Sequence, residues 1–221
     1  MLKVLKKELT SFNALLIVVS AVILTAAAMY LVITGKDLEN SPMAVMDYLF
    51  IIEGMVIFGI PMGNEKYDEK NKGYHLLGIL PIEKNEIVKA KFLAFLIPGA
   101  ITAFAIWLAH VLILDGIYSE IVLGGMCVAF SLSTLLMGIL YVFIFKLKYS
   151  RMLIPTMLTY MLVLSFPVWS GILLKKALGF FEKDLVNFYT GPFPFGILLA
   201  VLACLFLFYK KATKELLKKE F

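Results

Sequence analysis

Charge is scarce in this chain: Asp, Glu, Lys and Arg make up 17% of its 221 residues, against 61% hydrophobic residues and a mean hydropathy of +0.90. So few charged groups cannot coat a soluble globule of this size, which places the chain in a bilayer. Histidine and cysteine are also scarce. His75 and His110 lie far apart in sequence, and Cys127 and Cys204 are single residues in apolar runs with no C-x-x-C spacing. The thiols are therefore expected as small buried apolar groups, and no metal site is expected. The G-x-x-x-x-G-K-[ST], H-E-x-x-H and G-x-S-x-G patterns are all missing, so the chain is read as no enzyme, with no cofactor of its own. Any ATP-driven work would need a second subunit.

What remains is hydrocarbon. Six apolar runs reach spanning length: Ala14 to Ile33, Met43 to Met62, Phe92 to Leu114, Ile121 to Phe145, Met152 to Leu174, and Pro192 to Tyr209. None alternates like a barrel strand, and a segment in lipid must satisfy its own backbone hydrogen bonds, so each is expected to be a helix. The expected fold is all-α, a single polytopic membrane domain of six transmembrane helices over residues 1–221. The first run is too long for a signal-peptide core, despite Lys3, Lys6 and Lys7 before it and TAAAM at its end, and is read as a retained helix.

Orientation follows the basic residues. The N-terminus, residues 64–91, residues 146–151 and the tail from Lys210 hold 17 of the 21 Lys and Arg residues. That asymmetry puts both termini and the 64–91 segment in the cytoplasm. The net charge of +5 then answers anionic headgroups and calls for no nucleic acid.

Within the spans a few polar residues are costly. Glu53 sits near the middle of the second run, where a carboxylate costs at least about 2.5 to 3.5 kcal/mol on insertion scales, so it should face protein or water. Two readings stand: it lines a pathway or dimer interface, or it bonds hydroxyls such as Ser131, Ser133, Thr134, Thr156 or Thr159 and locks helix packing. Pro155 and Pro167 bracket Thr156, Thr159 and Ser165, which makes the fifth run a candidate pathway helix; Pro98 interrupts the third. Asp47 and His110 fall toward the outer ends of their runs.

Two flanks are amphipathic. In MLKVLKKELTSF, Leu2, Leu5, Leu9 and Phe12 recur at helical spacing, which suits an elbow helix over residues 1–13 lying in the headgroup layer. Leu178, Phe181, Leu185 and Phe188 repeat the pattern within a helical outer loop over 175–191. Between the second and third runs, residues 64–91 carry eleven charged side chains around a short apolar core. The chain leaves the membrane at Asn64, reaches Gly73, and offers Tyr74, Leu76, Leu77, Ile79 and Leu80 before Pro81. A short apolar helix held outside the membrane either packs on the inner ends of the bundle or enters a groove on a partner.

The order of a charged run, Gly73 and Tyr74, the L-x-x-L-P of Leu77 to Pro81, then Ile87, Val88 and Lys91 resembles the loop between helices two and three of ABC-2 type permeases. Elbow, six spans and outer helical loop agree, so the resemblance covers essentially the whole chain. It implies that Gly73, Tyr74, His75, Leu77, Leu80 and Pro81 form a coupling helix docking on a separate ATP-binding subunit, which holds ATP and magnesium. It also implies a twelve-span pathway from two permease copies, a homodimer or a pair with a related permease, in a bacterial plasma membrane. Among such permeases the compact L-P-I loop is most similar to those of bacterial peptide exporters, including exporters of phenol-soluble modulins. The rival from another class is the substrate-capture component of energy-coupling-factor importers, also about 200 residues with six spans, but that component lacks a long second cytoplasmic loop. A secondary transporter working alone would want an inverted repeat and more buried charge.

Overall fold

A computed structural model describes residues 2–10, 42–71, 73, 82–113, 119–147, 151–163, 165 and 187–218. The elements among them are helices: α1 (Leu2–Thr10), α2 (Pro42–Lys70), α3 (Lys84–Ile113), α4 (Ser119–Lys146), α5 (Arg151–Val163) and α6 (Phe193–Leu217). The expected first span from Ala14 to Ile33 lies outside the described residues, as does most of the outer loop from 175.

Length and composition make α3, α4 and α6 candidate membrane spans, and α5 is a shorter apolar helix. A helix of 30 residues such as α3 is about 45 Å long, against about 30 Å of hydrocarbon, so its ends stand in the headgroup layer or beyond. This explains where the sequence-based ends fell short. The second run is expected to leave the membrane at Asn64, but α2 stays helical to Lys70, and α6 continues past Tyr209 to Leu217. Hydropathy marks the hydrocarbon-crossing part, while helical geometry continues through the charged flank. Pro61 and Pro98 stay inside their helices, because neighbouring helices can compensate for the amide each removes.

The bundle is built around α4, which packs most extensively on α6 and then on α2 and α3. One apolar core gathers Ile57, Phe58, Phe92, Phe95, Met137, Tyr141, Phe145 and Leu205 at the lysine-rich end. A second, toward the other end, gathers Phe50, Val56, Ile60, Ile106, Val122, Met126 and Tyr189. Within the first, the rings of Phe92, Phe95, Tyr141 and Phe145 form a chain with centroids 5.6–5.8 Å apart, joining α3 to α4. Phe92 also meets Tyr209 of α6 edge-on at 5.9 Å. By contrast α5 and α6 show wide apolar faces to the outside, including Ile154, Leu158, Met161 and Leu162 on α5 and Leu199, Phe206 and Leu207 on α6. In a bilayer such faces meet lipid or another helix at no hydrophobic cost.

The thiols depart from expectation. Cys204 is exposed on α6 and Cys127 is only partly buried, because both sit on outward parts of helices whose inner faces are filled by larger side chains.

Candidate functional site

At the lysine-rich end of the bundle, charge has moved inside. Within residues 64–91, expected as a cytoplasmic loop that leaves the membrane at Asn64, the side chains of Asn64, Glu65, Asp68 and Lys91 are all buried. Lys91, near the start of α3, directs its ammonium at three carboxylates: Glu65 Oε1 at 2.6 Å, Asp68 Oδ2 at 3.0 Å and Glu8 Oε1 at 3.4 Å. Lys7 Nζ approaches Asp68 Oδ1 at 2.5 Å from the partly exposed side. Asn64 closes the cluster, its amide donating to the Glu8 carbonyl oxygen at 2.7 Å and to Glu8 Oε2 at 3.0 Å.

Helical spacing brings these groups together. The buried face of α2 passes through Ile57, Ile60, Pro61, Asn64, Glu65 and Asp68, steps of three and four residues that continue the core stripe of the span into its charged extension. The same cluster corrects the reading of the N-terminal segment. α1 buries Val4 and Glu8 and packs on α3, so its inward face is not the Leu2–Leu5–Leu9 stripe alone. A buried glutamate is tolerated there because Lys91 and Asn64 receive it.

Burial alone would raise the Asp68 carboxyl. The Lys91 charge and the Lys7 ammonium bonded to it outweigh that effect, so Asp68 titrates below its ordinary range. Three carboxylates facing two ammonium groups give the cluster a formal charge of minus one. Such a site gains little over an apolar filling while intact, and it punishes the loss of one partner severely.

Of the residues read as a coupling helix, Gly73 is described. It is buried beneath the cluster, where an added Cβ would come within 2.5 Å of Asp68 Oδ1, so this close approach requires glycine. Tyr74, His75, Leu77, Leu80 and Pro81 lie outside the described residues. The chain returns at Ile82, and Asn85 in the first turn of α3 accepts a hydrogen bond from the Tyr209 hydroxyl of α6.

Deeper in the bundle, Glu53 is fully buried on α2, and neither carboxyl oxygen has a hydrogen-bond partner among the described residues. It lies against Gly99 of α3, where an added Cβ would stand 3.1 Å from Glu53 Oε1 and 2.9 Å from Ile57 Cγ1. The threonine hydroxyls proposed to receive it are turned elsewhere. Thr134 donates to the carbonyls of Phe130 and Ser131, Thr156 to Met152 at 2.6 Å, and Thr159 to Pro155 at 2.8 Å, each within its own helix. Ser131 and Ser133 are buried and their hydroxyls have no partner among the described residues, like Thr102 one turn from Gly99. The expected pathway residues of the fifth run divide: on α5 Thr156 lies on the buried face with Met152 and Val163 and Thr159 is more open, while Ser165, just beyond α5, is also more open and donates to the Met161 carbonyl. α5 reaches α2 through Phe58 and Tyr160, whose rings lie 5.7 Å apart.

Compared with known families, the chain matches the ABC-2 family transporter protein over residues 3–214. The chain belongs to that family. Membership makes it a membrane subunit of an ABC transporter, whose partner binds ATP, and agrees with the apolar helices in placing it as a multi-pass membrane protein. No curated protein and no solved structure matches the chain.

Proposed function

We propose that this permease works as an exporter, two copies forming a twelve-span pathway above two separate ATP-binding subunits. Both termini and the 64–91 segment face the cytoplasm. In this reading the first span and the complete fifth join α2, α3, α4 and α6 as six spans, and α1 is the elbow. The hydrolytic step, with its ATP and magnesium, belongs to the partner. Gly73 to Pro81 is the coupling helix, with Tyr74, Leu77 and Leu80 seated in a groove on the ATP-binding subunit.

One observation carries most weight. The cluster of Lys91 with Glu8, Glu65 and Asp68 clamps α1, α2 and α3 where the chain enters and leaves the coupling segment. A lever transmits force only if its ends are fixed to what it moves, and a buried three-helix clamp at both roots supplies that stiffness. Amphipathic peptides are the proposed cargo, on the likeness of the compact loop to peptide exporters, with Glu53 and Thr156 along the pathway or dimer interface and Thr159 and Ser165 on the more open face of the same helix. The family match leaves a substrate-capture component of an importer without support.

The test is a pull-down. Replacing Tyr74 and Leu77 together by Ala should leave the permease folded and inserted but unable to retain its ATP-binding subunit, since each anchor contributes about 1 to 4 kcal/mol. A double variant that melts earlier yet holds its partner at full stoichiometry would show that these side chains only pack on the bundle.

A further inference from the structure

Where α4 and α6 reach the lysine-rich end, they leave a small groove of about 120 Å³ between them. Its floor is apolar, with Ile139, Val142 and Phe143 from α4 and Phe208 from α6; its rim carries Lys146, Lys211 and Glu215. Phe143 and Leu147 stay exposed beside the lysines. Glu215 is engaged, accepting a hydrogen bond from Lys218 Nζ at 2.8 Å. Lys146 and Lys211 make no hydrogen bond or ion pair among the described residues.

We propose that this groove binds an anionic phospholipid, with Lys146 and Lys211 holding the phosphate and an acyl chain lying on Phe143 and Phe208. Charge and depth both favour that ligand. Both helices are apolar along their spans and turn basic at this level, where headgroups stand in a bilayer, and basic pockets between spanning helices select anionic headgroups. A free anion would satisfy the lysines and leave the aromatic floor bare; a neutral lipid would cover the floor and leave both lysines with no anion at the rim beyond Glu215, which Lys218 already engages. Only a ligand with a negative head and a hydrocarbon tail meets both demands. The groove is built by α4 and α6 alone, so the assignment stands apart from how the coupling segment docks.

The experiment uses the purified full chain in neutral detergent, with native mass spectrometry to count bound lipid against titrated phosphatidylglycerol or phosphatidylcholine. Phosphatidylglycerol should be retained in preference. Two lysines near an anionic surface together account for roughly a thirtyfold affinity, which K146Q/K211Q should lose. A control with the same charge change at exposed sites on other helices, K66Q/K89Q, should lose little. Millimolar inorganic phosphate should not displace the lipid. Phe143→Ser provides a second variant, weakening lipid retention through the floor while keeping both lysines. Equal losses in the two lysine variants would replace the site with diffuse surface charge, and displacement by inorganic phosphate would assign it to a free anion. A K146Q/K211Q protein that keeps its lipid but loses its ATP-binding subunit would make the groove a protein contact. Each of these results overturns the proposal.

Discussion

Lys91 Nζ stands 2.6 Å from Glu65 Oε1, and both side chains are wholly withdrawn from solvent. The attraction between them is inseparable from Asp68 and Glu8, which share the same ammonium. Replacing Lys91 by Met should therefore strip three buried carboxylates of the ammonium they share, and cost about 3–5 kcal/mol of stability. Thermal unfolding in detergent would report the loss. Adding Glu65→Gln to Lys91→Met should recover part of it, because the excess negative charge falls; a double variant no more stable than Lys91→Met alone would contradict the pairing.

The same cluster predicts a response to acid. Asp68 titrates below its ordinary value in the folded protein, so its contribution is fully present above about pH 4 and disappears as pH falls below that toward the folded-state value. The stability gap between the natural protein and Asp68→Asn should thus be constant from pH 7 to about pH 5 and narrow on further acidification. A gap that widened in acid would reverse the sign of the shift.

Glu53 sets stability against function. A fully buried carboxyl without a hydrogen-bond partner among the described residues costs free energy, so Glu53→Met, which nearly keeps its volume, should hold or raise the melting temperature, with about 1–3 kcal/mol to be relieved. If the residue belongs to the pathway, ATP-dependent transport in liposomes should fall in the same variant. Transport at the natural rate would confine Glu53 to packing.

Much of the bundle was legible because hydrocarbon leaves a direct trace. The runs from Phe92, Ile121 and Pro192 each correspond to a helix, since a spanning segment has no other way to satisfy its backbone. The ion cluster was harder to see. Glu65, Asp68 and Lys91 read as loop charges when counted for polarity, and Glu8 drew no reading at all. The available signal was periodicity: Asn64, Glu65 and Asp68 fall on the helical stripe begun by Ile57 and Ile60. No local pattern could supply their partner, because Asn64 follows Glu8 by 56 residues and Lys91 follows Glu65 by 26. That Glu53 finds no hydrogen-bond partner among the described residues was equally hidden, since whether a threonine hydroxyl turns across to a neighbour or back to its own helix depends on packing.

These separations also fix an order of birth. Chains emerge at about 5–20 residues per second, so the 56 residues between Glu8 and Asn64 correspond to roughly 3 to 11 seconds of synthesis, and Lys91 arrives later still. Until then three acids and Lys7 wait at the membrane surface without their central cation. The clasp at the base of the bundle closes only when the third apolar run begins to leave the ribosome, so a chain that stalls before Lys91 lacks the cation that joins α1, α2 and α3.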